Sequence, residues 1–303
     1  MTLTRRHFIT LTGAALATPQ PGWAISTLTL GETRIDTLSD GNLVLPISFT
    51  LGDTPVADAA PILARHGLGT DQLQPPCNVT LLRDGANTVL FDVGSGPDFM
   101  PSAGKLADAL DAIGLTPGDI THVVFTHAHP DHIWGLLDDF DDPMYPNATH
   151  LIGKAEFDYW MDPATVDSIS PGRTTFAVGA KRRLEAIEDL LATFGDDTEI
   201  LPGVASRATF GHTPGHMSFH IRAGSQDALI VGDAIVNHHL AFERPGWRAG
   251  SDQDPDMGAE TRLRLLDQIA SDKMQMIGFH LPGGGIGRAE RAAEGYRFIT
   301  EDM

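Results

Sequence analysis

The sequence predicts an α+β fold, and the order of its expected strands and helices is accommodated by two β-sheets with helices outside. Short apolar segments with strand character fall into two groups, one within residues 27–125 and one within residues 207–278. Segments with helical spacing separate the two groups and also fall within each of them. With 303 residues and 42% hydrophobic content, the chain is long enough to bury a core of this size.

The first group of strands contains a clear hairpin. We expect strands at residues 27–30, 34–38, 43–45, 77–82, 88–93 and 122–125. Asp84-Gly85 is a strong turn signal, so the fourth and fifth of these strands form the hairpin. Residues 47–76 are rich in Pro, Gly and Asp, and we expect a long loop with one short helix there. Long loops in folded domains are often functional.

Helices and the second group of strands follow from the periodicity of apolar residues. We expect helices at residues 105–113, 154–161, 181–194 and 259–270, with Ser102 as a candidate N-cap of the first. We expect further strands at residues 207–210, 218–221, 229–231 and 274–278. Two sheets with helices outside accommodate this order.

Charge and cysteine content argue against binding to nucleic acid or to anionic membranes and against an internal disulfide. The formal net charge of −19 opposes non-specific binding to nucleic acid or to an anionic membrane. Cys77 is the only cysteine, so no internal disulfide can form. It lies in an apolar run and is expected to be a small buried residue.

The N-terminus resembles an export signal. Arg5 and Arg6 precede a short apolar run, which is the address of the twin-arginine route, and Gly22-Trp23-Ala24 offers a cleavage site. We therefore expect residues 1–24 to be a signal peptide, residues 25–303 to be one domain, and the protein to be periplasmic without a membrane anchor. The alternative is an amphipathic N-terminal helix, since the apolar run is too short to span a bilayer.

A cluster of metal-ligand residue types follows the strand at residues 122–125. His127, His129, Asp131 and His132 lie within six positions, and Pro130 among them indicates a turn. Imidazole and carboxylate groups suit Zn²⁺, and they also accept Mn²⁺, Fe²⁺ or Co²⁺. Four diverging ligands favour two ions over one.

Further ligands are expected at the ends of later elements. His216 closes the loop of residues 211–216, Asp233 follows an apolar strand, and His280 follows another. Taken singly, each has an ordinary structural explanation, but together they complete two metal sites. A carboxylate at the position of Asp233 is well placed to bridge two cations.

These motifs resemble the metallo-β-lactamase superfamily, through residues 126–132, 211–216, 232–233 and 279–280. The resemblance implies a four-layer αββα sandwich and two divalent metal ions, with zinc expected. It places one ion on His127, His129 and His216 and the other on Asp131, His132 and His280, with Asp233 bridging. Asp92 matches an aspartate that supports the site from behind.

The implied chemistry is hydrolysis by a hydroxide shared between the two ions. Asp131 and Asp233 are the implied catalytic residues. Asp131 would orient the nucleophile and move a proton, and the ions would polarise the attacked oxygen.

A closer likeness is to the methyl parathion hydrolase branch, which includes lactone and aryl-ester hydrolases. The matching segments are residues 38–41, 45–46, 126–132, 140, 145–148, 232–236, 280–282, 285–287 and 294–298. This branch has an aromatic pocket beside the metals, for which Trp160, Phe99 and Phe176 are the candidates, with Val236 as an apolar wall residue. Core packing is the alternative role for the three aromatic residues.

The predicted substrate is a small-molecule ester or lactone, with phosphotriester cleavage as a weaker side activity. One alternative is a homoserine-lactone quorum-quenching lactonase. Those enzymes carry a tyrosine where this chain has Val236, which argues against this alternative without excluding it. A thioester hydrolase is a further alternative, and a periplasmic metal-binding protein is the non-enzyme one. β-Lactam hydrolysis ranks low, and a homodimer is left open.

Overall fold

Two seven-stranded β-sheets form the centre of the fold in the computed structural model, which describes residues 26–300. The strands are β1 (Ser26–Leu30), β2 (Thr33–Asn42), β3 (Leu45–Pro46), β4 (Gln72–Leu73), β5 (Pro76–Arg83), β6 (Thr88–Phe91), β7 (His122–Phe125), β8 (Thr149–Gly153), β9 (Leu191–Phe194), β10 (Glu199–Leu201), β11 (Val204–Ala208), β12 (Met217–Ala223), β13 (Gln226–Gly232), β14 (Gln275–Gly278), β15 (Ile286–Arg291) and β16 (Tyr296–Thr300).

The α-helices are short except for two. They are α1 (Ile47–Leu51), α2 (Val56–Arg65), α3 (Leu106–Ala112), α4 (Pro130–Ile133), α5 (Lys154–Met161), α6 (Thr165–Ser168), α7 (Thr174–Ala186), α8 (Leu240–Glu243) and α9 (Pro255–Asp272). Between residues 26 and 300, none of the helices has both the length and the apolar content that crossing a bilayer requires. The signal peptide predicted for residues 1–24 lies outside the described residues.

Each sheet is assembled from one half of the chain. The first sheet has the order β1-β2-β5-β6-β7-β8-β9, and the second has the order β10-β11-β12-β13-β14-β15-β16. β6, β7, β8 and β9 are parallel neighbours, as are β13 and β14, whereas the other pairs in the two sheets are antiparallel. The loop that follows β7 therefore belongs to the first sheet, and the loops that follow β13 and β14 belong to the second.

An apolar core lies between the two sheets. Phe91 of β6 and Phe219 of β12 meet there with ring centroids 5.1 Å apart. Successive side chains of a strand point to opposite faces, so Val89 and Phe91 face this inner core while Leu90 faces outward. Because both faces are buried, these strands are apolar throughout.

Two further cores bind helices to the outer faces. Leu90 of β6 belongs to a cluster that includes Leu110 of α3 and Ala180 of α7. On the other side, Met276 of β14 packs in a cluster with Leu266 of α9. Helix, sheet, sheet and helix therefore follow one another, and the predicted four-layer αββα arrangement is confirmed.

The structure corrects several of the predicted element bounds. The helix predicted at residues 181–194 ends at Ala186, and Leu191–Phe194 forms β9, because these residues pair with β8 at the sheet edge. The strand predicted at residues 43–45 is reduced to the two-residue β3. The stretch of residues 47–76 contains two helices, α1 and α2, where one was expected. Lys105, and not Ser102, is the N-cap of α3.

A buried carboxylate ties the end of β2 to the segment that precedes α3. Asp40 is 0% exposed and accepts hydrogen bonds from the backbone N–H groups of Ser95, Gly104 and Leu106, at 2.8, 3.2 and 2.9 Å. Burial raises the pKa of Asp40, and these three bonds oppose the rise. The contact fixes a segment whose residues Phe99 and Met100 line a pocket described below.

His150 of β8 is a buried histidine without a well-formed hydrogen bond on either ring nitrogen. Burial lowers its pKa to about 4, against a small opposing effect of the Ala148 carbonyl. In the unfolded chain a histidine has its ordinary pKa of about 6.5. The unfolded state therefore binds the proton first as the pH falls, and the free energy of unfolding decreases between these two pKa values.

We expect His150→Leu to reduce this loss of stability in acid. Relative to the original chain, the variant should gain up to about 3 kcal/mol of unfolding free energy as the pH falls from roughly 7 to 4. Urea unfolding of both metal-free proteins across this pH range measures the difference. His220→Leu, at a partly exposed site on β12, controls for loss of any histidine. Parallel pH profiles for the original chain and His150→Leu would contradict the expectation.

Candidate metal centre and pocket

The ligand-rich loop begins where β7 ends at the edge of the first sheet. His127 and His129 lie in the extended segment after the strand, and Pro130 starts the one-turn helix α4, which carries Asp131 and His132. Proline at the first helical position needs no hydrogen-bonded N–H, so the chain can turn sharply at this point. The turn directs the side chains of all four ligand residues, each residue at most 6% exposed, into one buried space.

Three histidines, here called the trihistidine group, converge on one side of this space. His129 Nδ1 lies 3.0 Å from His127 Nε2 and 2.9 Å from His212 Nε2. The three side chains are buried and satisfy the spacing of metal ligands. Three imidazole nitrogens point at one another here. Protonated imidazoles would repel in this arrangement, whereas neutral ones can direct their lone pairs at a shared cation.

Two carboxylates and two histidines, here called the mixed group, converge beside it. Asp131 Oδ2 lies 3.1 Å from His280 Nε2 and 3.5 Å from His132 Nε2. Asp233 Oδ1 lies 3.5 Å from His132 Nε2, and its Oδ2 lies 3.4 Å from His280 Nε2. These four side chains also satisfy the spacing of metal ligands.

Asp233 connects the two groups. Its Oδ2 is 3.3 Å from His212 Nε2 in the trihistidine group and 3.4 Å from His280 Nε2 in the mixed group. This is the position that a bridging carboxylate requires. Each group also draws side chains from both sheets, because His212, Asp233 and His280 follow strands of the second sheet.

The residues of the mixed group fit a divalent ion by a criterion independent of their spacing. Asp131 Oδ2, His132 Nε2 and Asp233 Oδ1 are buried atoms without a hydrogen-bond partner. Buried polar atoms are normally paired, so three orphaned atoms that face one another indicate a missing partner. A cation bound to nitrogen and carboxylate oxygen supplies that partner, and this donor set suits zinc.

The structure corrects one predicted ligand, His216. Both of its ring nitrogens are already used: Nδ1 lies 2.8 Å from Thr209 Oγ1, and Nε2 accepts from the backbone N–H of Asp233 at 2.9 Å. His216 immediately precedes β12 and lies under Gly232, where a Cβ would approach its Nε2 to 2.7 Å. His212, four residues earlier, takes the place in the trihistidine group. The sequence contains both histidines in one short segment and does not distinguish them.

Hydrogen bonds behind the mixed group fix its histidines. Asp92, which has a positive φ of 66°, accepts from the Thr126 backbone N–H at 2.8 Å and lies 2.8 Å from His132 Nδ1. His280 Nδ1 lies 2.8 Å from the Pro76 carbonyl oxygen, so it donates the proton there and leaves Nε2 free. A bond on the outer nitrogen sets the tautomer of a metal-binding histidine. Asp92 thus has the supporting role implied by the resemblance.

Glu156 of α5 holds the two ligand loops together. Its carboxylate accepts from the backbone N–H groups of Ala128 and Gly215, at 2.9 and 3.0 Å, and from Thr213 Oγ1 at 2.7 Å. Trp160 Nε1 donates to it at 2.6 Å. Burial raises the pKa of Glu156, while these four bonds lower it. The carboxylate therefore links the loop of residues 127–132 to the loop that carries His212.

The two groups differ in their electrostatics. Burial and repulsion between neighbouring histidines lower the pKa of His127 and His129 well below the usual value. Burial also opposes charge on His132 and His280, but the nearby carboxylates outweigh it and raise both pKa values. His127 and His129 therefore favour the neutral imidazole, which is the form that binds a metal ion.

A pocket of about 440 Å³ opens onto both groups. His129, Asp131, His212, Asp233 and His280 line it where it meets the two groups. Much of the remaining wall is apolar and comes from the segment of residues 43–76 and from neighbouring loops, including Leu43, Leu45, Phe49, Leu68, Leu73, Phe99, Met100, Phe176 and Val236.

Three of the four predicted pocket residues lie in this wall, namely Phe99, Phe176 and Val236. The Phe176 ring is 5.7 Å from the His129 ring. Trp160 is a correction: it is 1% exposed and packs behind His129, because its N–H is buried and bonds to Glu156. The apolar residues of α1 and the adjoining segments were not assigned to the pocket from sequence, although the long loop there was flagged as functional.

Comparisons with known proteins agree with this geometry. N-acyl homoserine lactonase AttM of Agrobacterium fabrum is 30% identical over 156 residues, which are 48% of this chain and 53% of that protein. AttM of Azorhizobium caulinodans is 30% identical over 151 residues, or 46% of this chain and 51% of its own length. The chain thus spans about half the length of these curated relatives.

Solved structures match over most of the chain. AidC, a dizinc quorum-quenching lactonase solved with a product, has a TM-score of 0.86 and 26% identity, covering 92% of this chain and 98% of its own. The hydrolase AbOPH has a TM-score of 0.84 and 26% identity over the same shares. A family model described as the metallo-beta-lactamase superfamily matches residues 74–274. With its two ligand groups at the edge of an αββα sandwich, the chain belongs to the metallo-β-lactamase superfamily.

Proposed function

We propose that this protein is a dinuclear metal-dependent hydrolase that opens lactones, with N-acyl homoserine lactones as the first candidate class. The observation that carries the proposal is the pocket, in which two adjoining metal-ligand groups face an apolar wall. AidC, solved with a homoserine product, and the AttM lactonases support the same class of reaction.

The chemistry is divided between the ions and the side chains. Two divalent ions held by the trihistidine group and the mixed group would supply an acidified water as nucleophile and would polarise the lactone carbonyl. The Asp233 carboxylate contacts a histidine of each group and so links the two groups. Asp131 lines the pocket and presents a buried carboxylate, so it is the candidate to receive the proton of the attacking water on the carboxylate oxygen that a cation does not occupy.

The apolar wall supports a substrate with a long apolar substituent. Leu45, Leu68, Leu73 and Met100 line the pocket together with Phe49. Each methylene that moves from water to such a wall contributes about 0.8 kcal/mol to binding. An acyl chain attached to a lactone ring satisfies both sides of the pocket, because the carbonyl faces the ligand groups.

Aryl esters are the second candidate substrate. Phe176 lies against His129, and the rings of Phe176 and Phe99 are 6.4 Å apart in an edge-to-face arrangement. Such a pair accommodates an aromatic leaving group. Val236, which lines the pocket, provides no phenol to assist ring opening, and this favours esters with good leaving groups.

We also propose export to the periplasm by the twin-arginine route. The support is the sequence of the first 24 residues, with Arg5-Arg6 before a short apolar run and small residues before the expected cleavage position.

Initial rates of the zinc-loaded protein test the function. We expect fast turnover of acyl-homoserine lactones and dihydrocoumarin, slower turnover of phenyl acetate, and weak turnover of methyl paraoxon. Removal of metal with a chelator should abolish all four activities, and added zinc should restore them. Two bound ions without turnover of any lactone would overturn the proposal and direct attention to thioesters, β-lactams or a non-catalytic role.

The two histidines of the segment from residue 211 to residue 216 are distinguished by His212→Gln and His216→Gln. We expect His212→Gln to retain one ion and to lose activity by at least about 100-fold, because the trihistidine group loses a ligand. His216→Gln can still accept from the Asp233 N–H and should retain two ions. Metal content per chain and initial rates measure both effects. The opposite pattern would return His216 to the ligand set.

The apolar wall is tested with Leu68→Gln. For a decanoyl lactone we expect KM to rise roughly fivefold, because about 1 kcal/mol of apolar contact is lost, with little change in kcat. For a butanoyl lactone, which is too short to use the whole wall, KM should change less. Leu263→Gln at an exposed leucine of α9 is the matched control. Equal effects on both lactones would argue against an acyl-chain wall.

A further inference from the structure

Two adjacent residues of one loop contact two of the three histidines in the trihistidine group. Asp252 Oδ1 lies 3.1 Å from His212 Nδ1, and Gln253 Nε2 lies 3.2 Å from His129 Nε2. In both histidines this is the ring nitrogen that faces away from the group. The residues belong to the 250–254 loop, which connects α8 to α9.

The hydrogen bond to Asp252 fixes the tautomer of His212. A carboxylate only accepts hydrogen bonds, so His212 Nδ1 must carry the proton and Nε2 presents its lone pair to the trihistidine group. Arg262 of α9 stabilises this carboxylate, with NH1 3.4 Å from Asp252 Oδ2. Asp252 is 5% and Arg262 1% exposed, so a buried chain of charge runs from α9 to His212.

Gln253 acts on His129 in a comparable way. Its amide lies between His129 and Tyr159, whose hydroxyl is 2.7 Å from Gln253 Oε1. The oxygen and the NH₂ of an amide can exchange places with little change in shape. When His129 uses Nδ1 for a cation, its Nε2 carries the proton, and the amide oxygen is the partner that fits.

The 250–254 loop is itself held rigidly. Arg173 NH2 donates to the carbonyl oxygens of Gly250 and Ser251, at 2.8 and 2.9 Å. The backbone N–H of Gln253 donates to the His212 carbonyl oxygen at 3.0 Å. Arg262 also donates to the Pro245 and Trp247 carbonyl oxygens. The loop is therefore fixed against the histidine that it orients.

A close approach at the start of α9 supports the same conclusion. A Cβ at Gly258 would lie 2.3 Å from Asp252 Oδ2, so a larger residue would displace this carboxylate. The loop and the helix that follows it are thus built around the position of Asp252.

We propose that the 250–254 loop sets the metal affinity of the trihistidine group through Asp252 and Gln253 as positioning residues. The mixed group is oriented separately, by Asp92 and the Pro76 carbonyl. The inference rests on the proposed dinuclear function only in assuming that both groups bind metal. Substitution of an outer partner of a metal-binding histidine typically lowers metal affinity by roughly 10–100-fold.

The test measures zinc affinity of each group separately. In a His280→Gln background, which disables the mixed group, we expect Asp252→Ala to weaken zinc binding by roughly 10–100-fold. In a His212→Gln background, which disables the trihistidine group, the same substitution should change affinity less than about threefold. Competition with a chromogenic chelator gives both affinities without any substrate.

Matched variants separate orientation from general damage. Asp92→Asn, which contacts His132, should weaken the mixed group and spare the trihistidine group. Gln253→Glu retains an acceptor for His129 and should bind zinc better than Gln253→Met. If Asp252→Ala does not fold, as judged by circular dichroism, Asp252→Leu, which also removes the acceptor but fills the space, decides the question in the two backgrounds, with the same selectivity expected.

Equal weakening in both backgrounds, or no weakening in either, would overturn the inference. The result is independent of the substrate proposal. A chain that binds two ions selectively as described but hydrolyses no lactone would contradict the proposed function and support the role of the loop.

Discussion

Crowding of ionisable side chains in a largely buried space is the constraint on which the site depends. Seven histidines and aspartates share this space, and the ligand atoms of each group lie within 4.8 Å of one another. Buried charges of this kind are costly unless they are paired or bound to metal. Surrounding carboxylates therefore hold the ligand residues in place by hydrogen bonds. Glu156 connects the ligand loops, Asp92 bonds to His132, and Asp252 bonds to His212.

The parts of the site that could be predicted from sequence are those in which neighbours in the chain are also neighbours in space. His127, His129, Asp131 and His132 share one turn, so their residue types sufficed. The choice between His212 and His216 could not be made that way. It depends on which ring faces the other ligand residues: His212 Nε2 faces His129, whereas His216 Nε2 accepts from the backbone N–H of Asp233, and the sequence does not display either contact.

The errors in the predicted elements have a similar origin. The hairpin of β5 and β6 was predicted because Asp84-Gly85 is a local signal, whereas β9 was not, because its strand conformation comes from pairing with β8. Trp160 was expected in the pocket wall, but only the fold shows that the buried Glu156 binds its N–H. Local patterns thus predicted elements, and contacts distant in sequence decided their roles.

Both ligand groups combine residues from the two sheets, and this has a consequence for biosynthesis. The loop after β7 emerges from the ribosome long before His212, Asp233 and His280, so neither group can be completed on a half-made chain. An ion that binds only the finished arrangement stabilises the docking of one sheet on the other. Metal binding is therefore coupled to the docking of the two halves, and a chain deprived of its divalent ions loses this part of the free energy that joins them.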